Sequence, residues 1–593
     1  MKCKKNNEFH YLLLPIIFVL SVLPFITRLI LFNSGLGEFP WFSDQDVVSD
    51  FFTFYKSYTF IPVSFLSGIL LLMHHKTQKD HTKKMGVFLF LAVYLLLALL
   101  SVIFSVNLKT SLVGQITHFE GFFVLFGYAV MVLFSYRIKK TEEDYKRIVT
   151  CLLISFLLMS GIGISQMFGY NLLESRLAGY LIIPGPYQAL YFNNIHNILS
   201  DNAVFLTLFN PNFACVYLTM LLSFFSVYAL TAKNRKEKAG YSLLLLLLLL
   251  LIFKTYSRVG LLSILFLIIL SGYFYRSRLK KLWLHGVIFA ALSVILFLGI
   301  DAANGFRYVT KLSDTLHSFQ GSRHKNTLNE ILTQKESVLL RYKEKDLHIS
   351  YADPSQNQFN LIFSDETGKD LTRFYDPVKR TIALKPFNEI QFCLMQDLSS
   401  PYILCKVNDI LWCFTYDKDN GYQYLNDFGK TDVLTHIPTL GFAGKENIAS
   451  GRGYIWSRSL PLLSSSLFLG SGPDTFSLVF PQSDYVGKAN NCKTPYTFIE
   501  KPHNLFLMIG IQTGVLSLIA VFCFYLIYLR QSLHLYGKSD LNNDTARFGL
   551  GCFLATITFV LAGLFNDSSI QTTPMFCVLL GLGMDANLKL NLT

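Results

Sequence analysis

The sequence predicts an all-α polytopic membrane protein of about twelve transmembrane helices, with a β-rich extracytoplasmic insert between spans 9 and 10. Three observations predict it. Of 593 residues, 52% are hydrophobic and only 15% are charged, and the mean hydropathy is +0.40; a soluble chain of this length needs more charge to cover its surface. Apolar runs near membrane length recur along almost the whole chain. One long stretch, residues 301–502, breaks that rhythm and in its middle alternates apolar with polar residues.

The N-terminal MKCKKNNEFHYLLLPIIFVLSVLPF has the charge and apolar run of a secretory signal. No small-x-small cleavage site follows promptly, and Arg28 is embedded in its continuation, so it reads as an uncleaved first span near 9–32. Cys3 carries no lipoprotein-type pattern. Further spans are expected near 51–73, 86–106, 118–136, 148–168, 211–231, 241–254, 258–275 and 282–300. Residues 1–300 thus hold spans 1–9. Spans near 503–529, 547–565 and 573–587 place spans 10–12 in residues 503–593. No repeat of solenoid period is visible, and the leucine run at 243–251 is filler within a span.

The net charge of +13 raises the question of nucleic acid, but its distribution argues against that partner. With a cytoplasmic N-terminus, the N-terminal tail and the inner loops near 74–85, 137–147, 232–240, 276–281 and 530–547 carry about 23 Lys and Arg. The short outer loops carry about four: Lys109, Arg176, Lys254 and Arg258. This asymmetry predicts cytoplasmic N- and C-termini, with contact to anionic lipid of the bilayer as a secondary consequence.

The outer segment 301–502 divides in three. Residues 305–345 are polar and charge-rich and read as helix or linker. Residues 346–430 contain FNLIFS, RTIALKP and YILCKVNDILWCFTY, separated by ADP, DETGKD and DKDNG turns, and read as a small β-rich domain. Residues 440–502 return to Gly, Pro and aromatic residues and read as a membrane-surface segment, with a short amphipathic helix at 455–469. The ten cysteines include no CxxC pair. Cys393, Cys405, Cys413 and Cys492 fall outside the membrane, where disulfides can form, but the pairing does not follow from sequence; small half-buried residues is the plainer reading.

Three stretches carry candidate chemistry. In FKTYSRVGLL (253–262), two short spans leave a tight turn at or below the outer surface. Lys254 and Arg258 stand there, where charge is costly and faces a cavity or partner. The plain reading is an arginine snorkelling to lipid headgroups; the functional one is an anion clamp, because a guanidinium fork matches phosphate oxygens. In ASGRGYIWSRSLPLL (449–463), Arg452, Arg458 and Trp456 read as interface anchors, or as a second cation for an anionic ligand with Trp456 packed at the membrane face. In KPHNLFLMIG (501–510), His503 and Asn504 open a span. They can simply satisfy orphan backbone groups. An imidazole on the same outer side as Arg258 and Arg452 can also take a proton from a hydroxyl. One base and two cations suit attack by a sugar hydroxyl and departure of an anion.

Other chemistries find little support. FLGSGPDTF (468–476) lacks the GxxxxGK[ST] pattern and a preceding strand, so it is not a nucleotide loop. There is no HExxH; His74, His75 and His81 read as solvated residues of an inner loop. Asp44, Asp46 and Asp50 lack the Gly and closing Glu of a calcium loop and read as solvated acids.

These residues carry a resemblance to the O-antigen ligase and O-antigen polymerase superfamily of bacterial membrane glycosyltransferases. The similar stretches are SLVGQITHFEG (111–121), GISQMFGYN (163–171), FNPNFACVYL (209–218), YSRVGLL (256–262), GRGYIW with FLGSGPDTF (451–476), KPHNLFLMIGIQTGVLSL (501–518) and NDSSIQTTPMFCVLLGLG (566–583). The resemblance implies a GT-C-like membrane fold of about ten to fourteen spans, in a bacterial inner or plasma membrane, with its active site on the outer face. It implies metal-independent, cofactor-free, inverting transfer of a glycan from a polyprenyl-pyrophosphate donor to a glycan, lipid or wall-polymer acceptor, within cell-surface polysaccharide assembly and beside other glycan-assembly proteins. Its SR-turn arginine corresponds to Arg258, its loop arginine to Arg452 or else Arg458, and its histidine to His503. Lys254, Arg458, Asn504 and Trp456 would then line the substrate. The arginines would steady the leaving pyrophosphate and His503 would deprotonate the acceptor; the opposite division of labour is equally open. The acid expected after His503 is Gln512 here, and the β-rich insert departs from the simplest members. The competing readings are a flippase or transporter for a lipid-linked glycan, and a membrane sensor whose β-rich domain binds ligand.

Overall fold

The computed structural model describes residues 11–42, 47–74, 86–192, 203–281, 283–311, 313, 327–351, 360–396, 401–492, 494–539, 541 and 543–592. Among these, seven helices are long and apolar enough to cross a membrane: Phe54–Met73, Glu142–Met167, Pro211–Leu230, Arg258–Tyr275, Gly286–Ala303, Val515–Tyr536 and Asp544–Ala562. Shorter apolar segments occupy Tyr11–Phe25, Phe88–Ile103 and Phe122–Arg137, and helices Arg235–Lys254 and Thr573–Leu592 fill two more expected spans. The chain is mostly helical, of membrane type, with a separate β-rich region.

Local sequence sets the helix starts. Asn210, Asn234, Asn504 and Asn543 each accept an N–H of the first turn through the side chain, a cap worth about 1 kcal/mol. Thr141 and Asp144 form a reciprocal capping box before Glu142–Met167. Pro211–Leu230 and Asp544–Ala562 are buried along most of their length and pack side by side, with Ser223 Oγ and Thr558 Oγ1 bonded at 2.8 Å. Gly551 lies against the Phe224 ring, and a methyl group there would press on it; small residues let such helices approach closely. Gly286–Ala303 instead exposes Val287, Ile288, Val294, Ile295 and Leu298, the face expected toward lipid.

Two expected spans change shape. The first, read as 9–32, is helical only to Phe25; Pro15 and Pro24 limit it, and Ile30–Asn33 pairs antiparallel with Val47–Asp50. The tenth, read as 503–529, is broken at Gly514 (φ +101°) into Leu505–Thr513 and Val515–Tyr536. The FLGSG run fills the break. Ser471 and Gly472 donate their N–H groups to the Ile511 and Gln512 carbonyls, and Val515 N–H reaches Ser466 O. Backbone polar groups freed at a break are thus met by protein rather than left in an apolar phase.

The β-rich region begins earlier than 346. Strands Leu328–Thr333, Val338–Tyr342, Lys345–Tyr351 and Leu361–Asp365 form one antiparallel sheet. Strands Gln391–Gln396, Pro401–Val407, Ile410–Asp417, Gly421–Leu425 and Thr431–Asp432 form a second. Part of the expected linker 305–345 is therefore strand. Its charges hide this because they lie on the outer face: Arg341 bridges Asp346 (2.7 Å) and Glu330 (3.0 Å) across neighbouring strands. The inward face buries Leu328, Val338, Leu340 and Ile349 against Trp412 and Phe414. Tyr485 and Val486 of helix Tyr485–Asn491 close this core; Trp41 packs against it, and Asn426 and Lys430 donate to Pro40 O and Gly37 O at 2.7 Å, which ties the β-rich region to the loop before Val47–Asp50.

Within 440–502, helix Ile448–Ser459 turns Tyr454 and Ile455 into a cluster with Phe476, Phe480, Ile499 and Ile511. Its apolar face meets protein, and the helix expected at 455–469 starts earlier and ends at Ser459 before a separate turn, Leu462–Ser465. Cys393, Cys405, Cys413 and Cys492 are free thiols. Asp50 is buried and accepts the Thr53 and Phe54 N–H groups at a helix start, rather than standing in solvent; Asp44, Asp46, His75, His81 and Cys3 lie outside the described residues.

Candidate active site

The KTYSR turn joins helices Arg235–Lys254 and Arg258–Lys281. Tyr256 takes a left-handed conformation (φ +52°), a strain that non-glycine residues hold only where their surroundings enforce it. Ser257 Oγ donates to Asn212 Oδ1 at 2.8 Å, which pins the turn to the first turn of Pro211–Leu230. Gly260 lets the two helices meet, since a Cβ there would lie 2.5 Å from Cys215 Sγ. This frame carries Arg258 into a cleft of about 740 Å³.

Arg452 enters the same cleft from another element. Ala449, Ser450 and Gly451 are all left-handed, so the chain doubles back before the right-handed helix begins. Arg452 Nη1 donates to Ala449 O at 2.9 Å, while its buried Nε has no partner. Burial pulls this guanidinium below its ordinary value; Asp567 opposes that and Arg258 adds to it. Two arginines that feel each other across a cleft, one with an unspent donor, form a site for an anion.

His503 completes the wall. Its φ of +50° is again left-handed. The preceding carbonyl, Pro502 O, accepts the Trp456 indole N–H at 2.9 Å; Asn504 caps Leu505–Thr513 and donates from Nδ2 to Leu564 O. The ring is half-exposed, whereas its partner Asp567 is buried, with Nδ1 3.0 Å from Asp567 Oδ2. A carboxylate on Nδ1 selects the tautomer with the proton on Nδ1 and leaves Nε2 as the acceptor.

A charged layer supports this wall. Lys501 is buried in a 3.0 Å ion pair with Glu120, whose other oxygen accepts the Tyr128 hydroxyl at 2.7 Å. Burial presses the lysine down, but Glu120, Asp474 and Asp567 together outweigh it and raise it. Lys501 is therefore a strut. His118 stands between Asp474 (3.3 Å) and Glu500 (3.1 Å).

The structure thus brings Arg258, Arg452 and His503 together, with Asn504 behind the histidine. The other expected substrate contacts lie elsewhere. Lys254 does not line the cleft; it donates to Asn304 Oδ1 at 3.2 Å and sits 5.8 Å from the Tyr256 ring. Arg458 is turned away, held by Asp484 at 2.9 Å and stacked over Tyr454. Trp456 packs between Phe442 and Phe565 and acts on the site through Pro502. Gln512 is buried at the helix break and does not line the cleft.

Four residues escaped the sequence reading: Asp567, Lys311, Glu500 and His118. Lys311 lines the cleft and donates to Tyr256 O at 3.2 Å. Asp567 had a signal, an acid flanked by two apolar runs, where ionisable groups are costly and mark function. No arrangement of three or more His, Cys, Asp or Glu side chains suited to a metal occurs among the described residues. No family profile, curated protein or solved structure matches this chain.

Proposed function

We propose that this protein is a membrane glycosyltransferase that moves a glycan from a polyprenyl-pyrophosphate donor to an acceptor hydroxyl, as an O-antigen ligase or polymerase does. The observation that carries the reading is one cleft holding Arg258, Arg452 and a histidine backed by a buried carboxylate. Arg258 and Arg452, with Lys311, bind the pyrophosphate oxygens and stabilise the negative charge that grows as the leaving group departs. His503 Nε2 accepts the acceptor proton while the acceptor oxygen bonds to the anomeric carbon. The bond from that carbon to the phosphate oxygen breaks, its electron pair leaves with polyprenyl pyrophosphate, and the anomeric centre inverts. Asp567 holds the ring and stabilises the imidazolium formed. Within this reading the twelve helical segments are twelve spans, both termini are cytoplasmic, and the cleft opens at the outer face of a bacterial cell membrane. The basic inner loops support that orientation.

The test uses purified protein in nanodiscs, native polyprenyl-pyrophosphate oligosaccharides extracted from the host, and product analysis by gel and mass spectrometry. A ladder of repeat lengths that vanishes with His503→Ala identifies a polymerase. A single transfer to an added acceptor identifies a ligase. Folded protein that consumes no verified donor with any acceptor overturns the proposal.

A further inference from the structure

A second, smaller cavity of about 90 Å³ is also lined by His503. His503 and Glu500 line both cavities. The charges of the two differ. The large cleft holds Arg258, Lys311 and Arg452. The small cavity presents Glu500, Asn210 and Gln571 beside the rings of Phe209 and Phe213. Its one lysine, Lys501, is committed to Glu120 and to Ser568 O. His118, which also lines it, is held between Asp474 and Glu500, so a phosphate entering here would meet the Glu500 and Asp567 carboxylates with both cations already engaged. A sugar ring would meet amide and carboxylate hydrogen-bonding groups for its hydroxyls and aromatic faces for its C–H edges. The volume holds about three waters at about 30 Å³ each, the scale of one ring edge.

Glu500 is fixed for such a task. His118 Nε2 lies 3.1 Å from Glu500 Oε2, and Asp474 anchors the far side of the imidazole at 3.3 Å. Burial alone would raise the Glu500 carboxyl, but His118, Lys501 and His503 together hold it below its ordinary value. It therefore meets a ligand as an ionised acceptor of hydrogen bonds. Phe209 stands exposed at the rim in a left-handed conformation (φ +68°).

We infer that this small cavity is the acceptor subsite: Glu500, positioned by His118, and the Phe209 ring hold a hydroxyl-rich sugar residue against His503, while the donor pyrophosphate occupies the large cleft that shares His503 with it. The inference rests on the glycosyl-transfer reading above. It places the base where the two subsites share a wall, beside the acceptor hydroxyl that attacks the anomeric carbon.

The experiment titrates a defined acceptor probe, the glycan released from the extracted donor by mild acid, against intact donor. Wild type is compared with Glu500→Gln and Phe209→Ala in nanodiscs, and thermal melting checks that each variant folds. Both variants should raise the acceptor KM about tenfold, the effect of losing a charged hydrogen bond or a stacking face, while donor KM moves less than about twofold. The split separates acceptor recognition from general damage to the site. Unchanged acceptor KM in both folded variants, or an equal rise in donor KM, overturns the inference while the transfer reading stands. Wild type that consumes no donor overturns the transfer reading, and the subsite falls with it.

Discussion

His503 and Asp567 stand 64 positions apart in the chain, yet His503 Nδ1 meets Asp567 Oδ2 at 3.0 Å. The other oxygen of that carboxylate takes the Asn504 N–H, also at 3.0 Å. One buried acid therefore fixes both the ring and the start of the helix behind it. Burial pushes Asp567 upward, but the hydrogen bond and charge of His503, then Lys501, hold it below its ordinary value of 3.8. It stays ionised through the neutral range. Asp567→Asn keeps the shape and removes the charge, and its amide favours the wrong tautomer of His503. The expected result is a fall in kcat of roughly 10²- to 10⁴-fold with donor KM little changed, measured with extracted donor. A variant with full kcat would remove Asp567 from the mechanism.

Arg452 and Arg458 lie two turns' reach apart in sequence but in different surroundings, and substitution should separate them. Arg452 faces the cleft with an unpartnered Nε. Arg452→Lys loses the planar fork, and turnover should drop roughly 100-fold with little change in melting temperature. Arg458 holds Asp484 and covers Tyr454, so Arg458→Ala leaves a mostly buried acid without its cation. It should cost roughly 3 kcal/mol of stability while the folded fraction retains turnover. Melting curves read beside turnover distinguish the two roles; a reversed pattern would make Arg458 the substrate arginine.

The broken helix makes a third prediction. A Cβ on Gly470 would lie 2.1 Å from the Gln512 carbonyl carbon, and the backbone there cannot yield as a flexible side chain would. Gly470→Ala must either separate the FLGSG run from the break or close the break. Both outcomes strand backbone groups, so a loss above roughly 3 kcal/mol and poor recovery from the membrane are expected. Gly272→Ala, with open space around its Cβ, is the control and should be recovered at the wild-type level. Equal recovery of the two variants would mean that the clasp carries no stability.

Much of the helical pattern was legible because apolar composition alone writes it. What stayed hidden required contacts distant in sequence. Gly514 breaks the tenth span because residues 466–472 reach it, which no local period records. The strands before residue 346 were obscured because Glu330, Arg341 and Asp346 pair with one another across the sheet, so a charge-rich stretch read as linker. At the candidate site, asking where charge is expensive singles out Lys254 and Arg258, whereas Arg452 and His503 are singled out by standing on the same outer side. Lys254 and Arg458 turn to Asn304 and Asp484 instead, and composition cannot tell such a cation from one that lines a cleft. Asp567 had the strongest unused signal, and its role appears only when it is seen behind the ring of His503.

The supporting layer predicts a pH profile. Burial and Lys501 press His118 down, but Asp474 and Glu500 outweigh them, and it is raised above its ordinary 6.5. The folded state thus favours the imidazolium. Its stabilising contribution is complete below the unfolded value of about 6.5 and is lost as pH rises through the raised folded value. Glu500 and Asp567 have the opposite sign. Both are depressed, so their contributions are present above their ordinary values of 4.5 and 3.8 and are lost as pH falls through the lower folded ones. The melting temperature should therefore decline on both sides of a plateau, gently on the alkaline side as His118 deprotonates and steeply in acid. His118→Gln retains hydrogen-bonding capacity without the titration, so its alkaline decline should be shallower than that of wild type while the acid limb persists. Melting followed from pH 2 to 9 in both proteins checks this, and an alkaline limb unchanged by His118→Gln would assign it to another group.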